Sequence, residues 1–243
     1  MARICNKSAG MTCRVCHVGH RTEWTGLDES AAVLLAKGLI RRQYGSGEVI
    51  FAQGDRNNGV HCVSSGTVAV RKVDNNGNSV LLGLAYPGDT LGYRSYLAAG
   101  EYKTSAEALG PSVVCHADAR TIAALFANAP ALGVRFLKKS IADTEQAYDA
   151  IFRQATLSNR HRLVHLILSL ARRCGRLNAN GSHSIELPVS RRDVASMIGA
   201  RHETVSRIMG RLEAEGIAFF SGRQVMIPRL ATLAAEIQPP TAS

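Results

Sequence analysis

The first half of the chain changes from helical to strand-like spacing of its apolar residues. Residues 27–42, LDESAAVLLAKGLIRR, have helical spacing, and Asp28 is a suitable N-cap for a helix that starts there. Between residues 47 and 118, short β-rich runs alternate with glycines and Asn-Gly pairs, and DNNGN at 74–78 is typical of a hairpin turn. Short strands at regular spacing predict an antiparallel sandwich or roll.

The second half has helical spacing. A short helix ends at Pro130, residues 131–155 continue without another proline, and a further helix begins with Ser158 or Asn159 as its cap. One stripe of residues 131–155 repeats every four and three residues, as in a heptad pattern. It consists of Leu137, Ile141, Thr144, Tyr148, Ile151 and Ala155. Such a helix, about 37 Å long at 1.5 Å per residue, either lies on its own domain or pairs with a second copy of the chain. The first arrangement is the more common one, but the length of the helix and its small seam residues Thr144 and Ala155 make a homodimer credible.

Residues 190–217, SRRDVASMIGARHETVSRIMGRLEAEGI, contain two short apolar-periodic segments around a Gly-Ala junction. Ser190 can cap the first helix, and Asp193 is favourable in its first turn. A second helix is predicted over 201–215. Its buried stripe comprises Val205, Ile208, Met209 and Leu212. Two helices joined by a short glycine-containing turn predict a helix-turn-helix, and a hairpin at 217–227 would make it winged.

Positive charge is concentrated around this motif. The chain has a net charge of +10, and residues 153–229 contain 13 Lys and Arg against 5 Asp and Glu. This local excess favours a polyanionic partner, because each Lys or Arg placed against a phosphate releases condensed counterions.

The face of the second helix opposite its buried stripe is rich in hydrogen-bonding groups. Arg can bind guanine through two hydrogen bonds, Glu can accept one from cytosine, and Ser or Thr can reach phosphates and base edges. The candidate DNA-binding residues are Arg191, Arg201, His202, Glu203, Thr204, Ser206, Arg207 and Arg211. The alternative is a solvated polar face, but the turn, the wing and the basic surroundings together favour double-stranded DNA.

The same stretch resembles the DNA-binding motif of the CRP/FNR family of bacterial transcription regulators. It contains R-R-D-V-A-x-x-I-G, then E-T-V-S-R-x-M, then L-x-x-x-G-I. Upstream, GEVIFAQGD, GVHCVSSGTVAV and YPGDTLG resemble the family's N-terminal β-roll more loosely. The E-x-x-S-R of the FNR branch is present as Glu203, Ser206 and Arg207. The resemblance implies a palindromic site with TTGAT-like half-sites about one helical turn apart, which suits a two-fold dimer.

The resemblance also implies the architecture, an α+β chain. It has an N-terminal antiparallel β-roll like the jelly roll of cyclic-nucleotide-binding domains, a long dimerisation helix and a C-terminal winged helix-turn-helix. The expected ranges are a Cys/His-rich segment at 1–26, the β-roll sensor at 27–128, the dimerisation helix at 129–156, the winged helix-turn-helix at 157–231 and a tail at 232–243. RNA polymerase is an expected partner.

The resemblance also limits which signals the protein is expected to sense. The cyclic-nucleotide branch holds its ligand's phosphate with an Arg-Ser pair, where this chain has Thr104-Ser105. A phosphate without its bidentate Arg loses much of its binding energy, so cyclic AMP is not expected. The FNR branch binds an oxygen-labile [4Fe–4S] cluster through three N-terminal cysteines and one in the β-roll, and thiolates are suitable ligands for it. The matching residues are Cys13, Cys16 and Cys115, with Cys5, His17 or His20 as the remaining ligand.

Other sensors and one other class of protein stay open at this point. Cys13, Cys16, His17 and His20 could form a zinc site. His61, His116 or His165 could be axial ligands of a haem that senses nitric oxide, and the β-roll could hold a small organic ligand. Cys62 and Cys174 are interpreted as packing thiols. A thiol redox enzyme built on Cys13-x-x-Cys16 would need strands that alternate with helices, and the chain has no nucleophile motif, paired catalytic carboxylates or P-loop, so it is not expected to be an enzyme.

The cellular compartment is inferred from what the chain lacks. No apolar run reaches the roughly 18 residues of a membrane helix, and the N-terminus has no signal-peptide stretch. We therefore expect a cytoplasmic protein without a membrane partner, whose six cysteines do not form structural disulfides.

Overall fold

The computed structural model describes residues 3–4 and 22–237. The chain divides into two compact units, residues 1–145 and 146–243, and the boundary falls inside one long helix. The strands of the first unit are β1 (Arg3–Ile4), β2 (Leu39–Tyr44), β3 (Val49–Phe51), β4 (Gly59–Ser65), β5 (Val68–Val73), β6 (Ser79–Ala85), β7 (Thr90–Leu91), β8 (Ser105–Ala108) and β9 (Ser112–Asp118). Its helices are α1 (Glu29–Gly38), α2 (Tyr93–Leu97), α3 (Ala119–Asn128) and the first part of α4 (Pro130–Thr156).

The strands form two antiparallel sheets, as the regular spacing of short strands predicts. One sheet has the order β1-β2-β9-β4-β7 and the other the order β3-β8-β5-β6. Buried side chains from both sheets form a shared core that includes Phe51, Val63, Tyr102 and Val114. The predicted hairpin joins β5 to β6, and the Asp74 carboxylate accepts the backbone N–H groups of Asn76 and Asn78 there. The α+β prediction is therefore confirmed, with an antiparallel β-roll in the first unit.

A second core lies between the helices and the opposite face of the first sheet. Val60 of β4 and Ala117 of β9 pack there with α1, α3 and the start of α4. Trp24 lies in the same core, with its ring edge-on to Phe136 of α4 at a centroid distance of 5.3 Å. The segment that begins at residue 22 is thus packed against α4.

The prediction of a helix over 27–42 is right at its start and wrong at its end. Asp28 caps α1 as expected by accepting the N–H of Ala31 at 2.8 Å. The helix ends at Gly38, whose close approach to Thr121 leaves no room for a side chain, since a Cβ would lie 2.0 Å from Oγ1. The residues that follow pair with β9 along their whole length. Strand pairing between distant segments overrides the local helical spacing.

The second unit contains the rest of α4 and the predicted C-terminal motif. Its helices are α5 (Asn159–Cys174), α6 (Arg191–Met197), α7 (His202–Ala214) and α8 (Leu230–Ala235), and its strands are β10 (Arg176–Leu177), β11 (His183–Glu186), β12 (Phe219–Ser221) and β13 (Gln224–Ile227). The strands form one sheet in the order β10-β11-β13-β12. Ser158 is the cap of α5.

Helix α8 was not predicted, and it spans the place after residue 231 where the sequence suggested that the domain ends. Its Leu233 is completely buried, and α8 packs against α5. Burial of this apolar side chain explains why the chain stays folded beyond that point.

Among the helices of the described ranges, none combines the length and the apolar character required to cross a membrane.

Candidate nucleic-acid interface and sensor site

The first helix of the motif begins with a reciprocal cap. The Ser190 Oγ accepts the N–H of Asp193 at 3.1 Å, and the Asp193 carboxylate accepts the N–H of Ser190 at 3.1 Å. Such a capping box satisfies two backbone donors that the helix leaves unpaired, and loss of a cap costs about 1 kcal/mol. The cap therefore sets where α6 starts.

The turn between α6 and α7 is held by a side chain from α5. Gly199 has φ = +62°, a left-handed conformation that other residues rarely adopt. Next to it, Nη1 of Arg162 donates a hydrogen bond to the carbonyl oxygen of Ile198 at 2.8 Å. Because this contact caps the end of α6, it fixes the direction in which the chain enters α7.

Helix α7 separates an apolar face from a polar one, as predicted. The stripe of Val205, Ile208, Met209 and Leu212 is buried. Arg201 occupies the N-cap position of α7, and Arg201, His202, Glu203, Arg207 and Arg211 are exposed, while Thr204 and Ser206 are half-buried. Among the predicted DNA-facing residues, Glu203, Arg207 and Arg211 are therefore accessible on the side of α7 away from its buried stripe.

An open cleft lies between the start of α6 and the start of α7. Its volume is about 750 Å³, and it is lined by Ser190, Arg191, Arg192, Arg201, His202 and Glu203. Arg192 is exposed and was missing from the predicted site, although it is the second arginine of the R-R-D motif. Both α6 arginines lie in the first turn, so the cleft combines their charge with helix N-termini, which favour anions.

The far end of α7 is fixed by ion pairs and by the wing. Arg160 of α5 binds Glu215, next to the end of α7, and also binds Glu236 after α8 at 2.7 Å. The hydrogen bonds to Glu215 and then to Glu236 raise the pKa of Arg160. The Glu213 side chain accepts the N–H of Phe220 in β12 at 2.7 Å. The recognition face is thus presented by a helix that is held at both ends.

In the β-roll, the structure brings together two of the three histidines considered as haem ligands. His61 of β4 and His116 of β9 are cross-strand partners with ring centroids 4.5 Å apart, whereas His165 lies in α5. The Tyr102 hydroxyl donates to Asn58 at 3.0 Å, so Nε2 of His61 is the donor in its 3.1 Å bond to Tyr102. Burial, with smaller contributions from His116 and Arg42, lowers the pKa of His61 to about 3, so the ring is neutral.

The two imidazole rings are too close to bind one haem iron from opposite sides. With metal–nitrogen distances of about 2.0–2.1 Å, as for zinc, trans imidazoles have centroids about 6 Å apart, compared with 4.5 Å here. The described geometry therefore does not favour a haem held by this pair.

The candidate cluster ligands fall in two groups. Cys115 lies in β9 and is partly exposed. Cys5, Cys13, Cys16, His17 and His20 lie outside the described residues. Within the described ranges, no group of three or more His, Cys, Asp or Glu residues is arranged to hold a metal ion.

Thr104 and Ser105 occupy the position at which an Arg-Ser pair would hold a cyclic nucleotide. Thr104 precedes β8, and the Ser105 hydroxyl already accepts the backbone N–H of Gln53 at 2.9 Å. The expectation that cyclic AMP is not the ligand stays a prediction.

The stripe predicted for dimerisation is accessible along α4. Leu132 and Phe136 turn into the core. Leu137, Ile141, Tyr148 and Ile151 have more than half of their surface exposed, and Thr144 and Ala155 are also exposed. Phe152, next to the stripe, is exposed as well. So many large apolar side chains on one helix are typical of an interaction surface.

Comparison with known proteins decides the family. The profile of the cyclic nucleotide-binding domain matches residues 41–129, and that of the Crp-like helix-turn-helix domain matches residues 161–236. The chain belongs to the CRP/FNR family. Like other members, it is a DNA-binding transcription regulator and not an enzyme.

Relatives are similar over most of both chains. The chain is 25% identical over 189 residues to the fumarate and nitrate reduction regulatory protein of Salmonella typhimurium, which covers 78% of this chain and 75% of the relative. It is 25% identical over 188 residues to the anaerobic regulatory protein of Pasteurella multocida, covering 76% and 67%. The solved structure of FixK2 from Bradyrhizobium japonicum has the same fold, with a TM-score of 0.71, 23% identity and coverage of 84% and 99%.

The position of Arg192 in the cleft predicts that it contacts a phosphate and not a base edge. We expect Arg192→Ala to weaken binding to matched and scrambled duplexes equally, because phosphate contacts carry no sequence information. Loss of one phosphate contact should reduce the slope of log K against log salt by about 0.9. Fluorescence anisotropy across a salt series measures both quantities. Arg172→Ala, at the end of α5 and outside the cleft, is the control, and a selective loss of matched binding in Arg192→Ala would contradict the assignment.

Proposed function

We propose that the protein binds a palindrome with TTGAT-like half-sites as a homodimer and that oxygen or redox state controls this binding through a [4Fe–4S] cluster. The observation that carries the DNA part is the accessible face of α7. There Glu203 and Arg207 are exposed while the opposite stripe is buried. The relatives named for anaerobic regulation and for fumarate and nitrate reduction support the sensing part.

Glu203, Ser206 and Arg207 are the base-reading residues of this proposal. They occupy the first two turns of α7, the end of a recognition helix that enters the major groove. Arg207 can bind guanine in bidentate fashion, and Glu203 can accept from the cytosine amino group. Arg191, Arg192, Arg201, His202, Thr204 and Arg211 surround them and are assigned to phosphates and neighbouring base edges.

The dimer forms through α4 in this proposal. Pairing would bury the stripe from Leu137 to Ile151, and burial of apolar surface contributes roughly 25 cal/mol per Å². A two-fold dimer presents two copies of α7 to the two halves of a palindrome. RNA polymerase is the proposed partner on the promoter.

The cluster would be held by Cys115 together with Cys5, Cys13 and Cys16. Cys115 suits this role because it lies on the central strand of its sheet and is partly exposed, and thiolates are the usual iron–sulfur ligands. When bound, the cluster supplies oxygen-labile iron–sulfur chemistry. In the chain itself, Glu23 and Trp24 contact α4, through Arg135 and Phe136 respectively. A change in the N-terminal segment would therefore alter the support of the dimerisation helix and shift the population of DNA-binding dimers.

Base reading by α7 is tested by two substitutions. Glu203→Ala and Arg207→Ala should each cost about 1–3 kcal/mol on a TTGAT palindrome, because each removes a base-specific hydrogen-bonding group. Binding to a scrambled palindrome should change far less, so the ratio of the two affinities falls. Glu213→Ala, on the same helix but bonded to the wing, is the control. An unchanged ratio in both variants would refute the proposed site.

Dimerisation through α4 is tested by placing charge on the stripe. Ile141→Glu should convert the dimer to monomer, because an unpaired carboxylate is costly to bury in an apolar interface. Sedimentation velocity at several protein concentrations measures the change. Lys138→Glu is the control, since Lys138 is exposed but outside the stripe. A dimer that persists in Ile141→Glu with wild-type affinity would show that α4 does not form the interface.

Oxygen control is tested on anaerobically purified protein. We expect iron, acid-labile sulfide and visible absorbance in the wild type, a [4Fe–4S] signature in the Mössbauer spectrum of ⁵⁷Fe-labelled protein, and weaker binding to the TTGAT palindrome after exposure to air. Cys115→Ser should lose the cluster and the response to air. Colourless wild-type protein with affinity unchanged by air would refute the sensing part and leave the DNA-binding part intact. Zinc, haem or a bound organic molecule in its place would identify the alternative sensor.

A further inference from the structure

The turn between α6 and α7 is covered by side chains from two other helices. A Cβ placed at Gly199 would lie 3.5 Å from Nη1 of Arg162 and 3.6 Å from both Cδ and Nε2 of Gln154. Arg162 belongs to α5, and Gln154 belongs to the last turn of α4. Both side chains therefore lie directly over the turn, within van der Waals reach of the position that a β-carbon would occupy.

The connection from α4 to this turn is short and hydrogen-bonded. Only Leu157 and Ser158 separate α4 from α5, and the N–H of Leu157 continues the hydrogen bonding of α4. On the α5 side, Nη1 of Arg162 donates to the carbonyl oxygen of Ile198 at 2.8 Å, and its Nη2 donates to Oδ1 of Asn159. A displacement of the last turn of α4 therefore reaches the α6–α7 turn by two routes, through this short link and through the side chain of Gln154.

Gln154 also borders the stripe that the proposed dimer buries. It directly precedes Ala155 and follows Ile151 by three residues, and both of these belong to the stripe. In a heptad pattern this is a position that flanks the apolar seam, where side chains contact the partner helix. Ile151, Gln154 and Ala155 are all exposed in the single chain. One side chain thus lies between the surface that would meet a second copy and the turn that directs α7.

We propose that Gln154 is a positioning residue for DNA recognition, a role that rests on the proposed dimer and its palindromic site. Packing of two copies of α4 fixes where Gln154 lies relative to the two-fold axis, and Gln154 together with Arg162 fixes where α7 begins relative to α4. The separation of the two copies of α7 is set in this way. A dimer binds both half-sites only when this separation matches theirs, about 34–36 Å or 10–10.5 base pairs from centre to centre. Gln154 therefore makes the dimer selective for half-site spacing without contacting a base.

The test varies the spacing between two TTGAT half-sites by one and two base pairs in both directions, with a duplex that carries a single half-site as the reference. Fluorescence anisotropy under anoxic conditions gives the affinity of the wild type and of Gln154→Ala for each duplex. We expect Gln154→Ala to lose about threefold to tenfold in affinity at the optimal spacing, which is the range for loss of one ordinary contact. Affinity for the other spacings and for the single half-site should change far less, so the preference for one spacing falls.

Two further variants separate positioning from a general loss of stability or of the dimer. Gln146→Ala makes the same change about two turns earlier on α4, at an exposed position outside the stripe, and is the matched control. Arg162→Ala removes the other side chain over the turn and leaves α4 unchanged, so it should also lower the preference for one spacing, even if Gln154→Ala weakens the dimer. Because both side chains act on one turn, the double variant should lose less than the product of the two separate losses. Sedimentation velocity and thermal unfolding report whether each variant is dimeric and folded.

The outcomes distinguish the role of Gln154 from the function on which it rests. If the wild type prefers one spacing and Gln154→Ala keeps that preference like Gln146→Ala, or loses affinity equally on the single half-site, Gln154 does not position α7. The proposed dimer and its DNA site survive that result. If the wild type binds all spacings and the single half-site alike, the proposed palindromic dimer is refuted, and the role of Gln154 with it.

Discussion

Glu23 connects the sheet of the β-roll to the long helix. Its carboxylate accepts the Thr90 hydroxyl and lies 4.0 Å from Nζ of Lys139 in α4, and its carbonyl oxygen accepts Nη1 of Arg135 at 3.1 Å. Both members of the Glu23–Lys139 pair are mostly buried, so their attraction is screened less than that of a surface pair. Any change that displaces residue 23 removes three polar contacts at once. The first half of α4 is therefore supported by Glu23, which follows the candidate N-terminal metal ligands in the sequence.

The C-terminal unit uses its arginines for two different purposes. Arg160 and Arg162 of α5 hold other parts of the unit in place, one through Glu215 and Glu236, the other through the carbonyl of Ile198. Arg201, Arg207 and Arg211 are exposed along the recognition helix. A count of positive charge along the sequence treats all of these residues alike. The fold shows which of them are occupied within the protein and which remain for a partner.

Features that depend on neighbouring residues could be predicted from the sequence. The caps Asp28, Ser158 and Ser190, the turn at 74–78 and the buried stripe of α7 are encoded within a few residues of each other, and the structure has each of them. Features that depend on distant partners could not. Leu39–Tyr44 was predicted to be partly helical because its pairing with β9 is not visible locally. The pairing of Cys62 with Cys115 and the burial of Leu233 likewise depend on tertiary packing, and Arg192 belongs to the site because α6 and α7 share a cleft.

Helix α8, at the end of the described chain, is packed into the C-terminal unit. Leu233 fills the core, and Glu236 closes the ion pair with Arg160, which also reaches the end of the recognition helix. A premature stop codon in the last few codons before Leu233 would therefore not be silent. It would remove an anchor of α7 while leaving every residue proposed to contact DNA in the translated product.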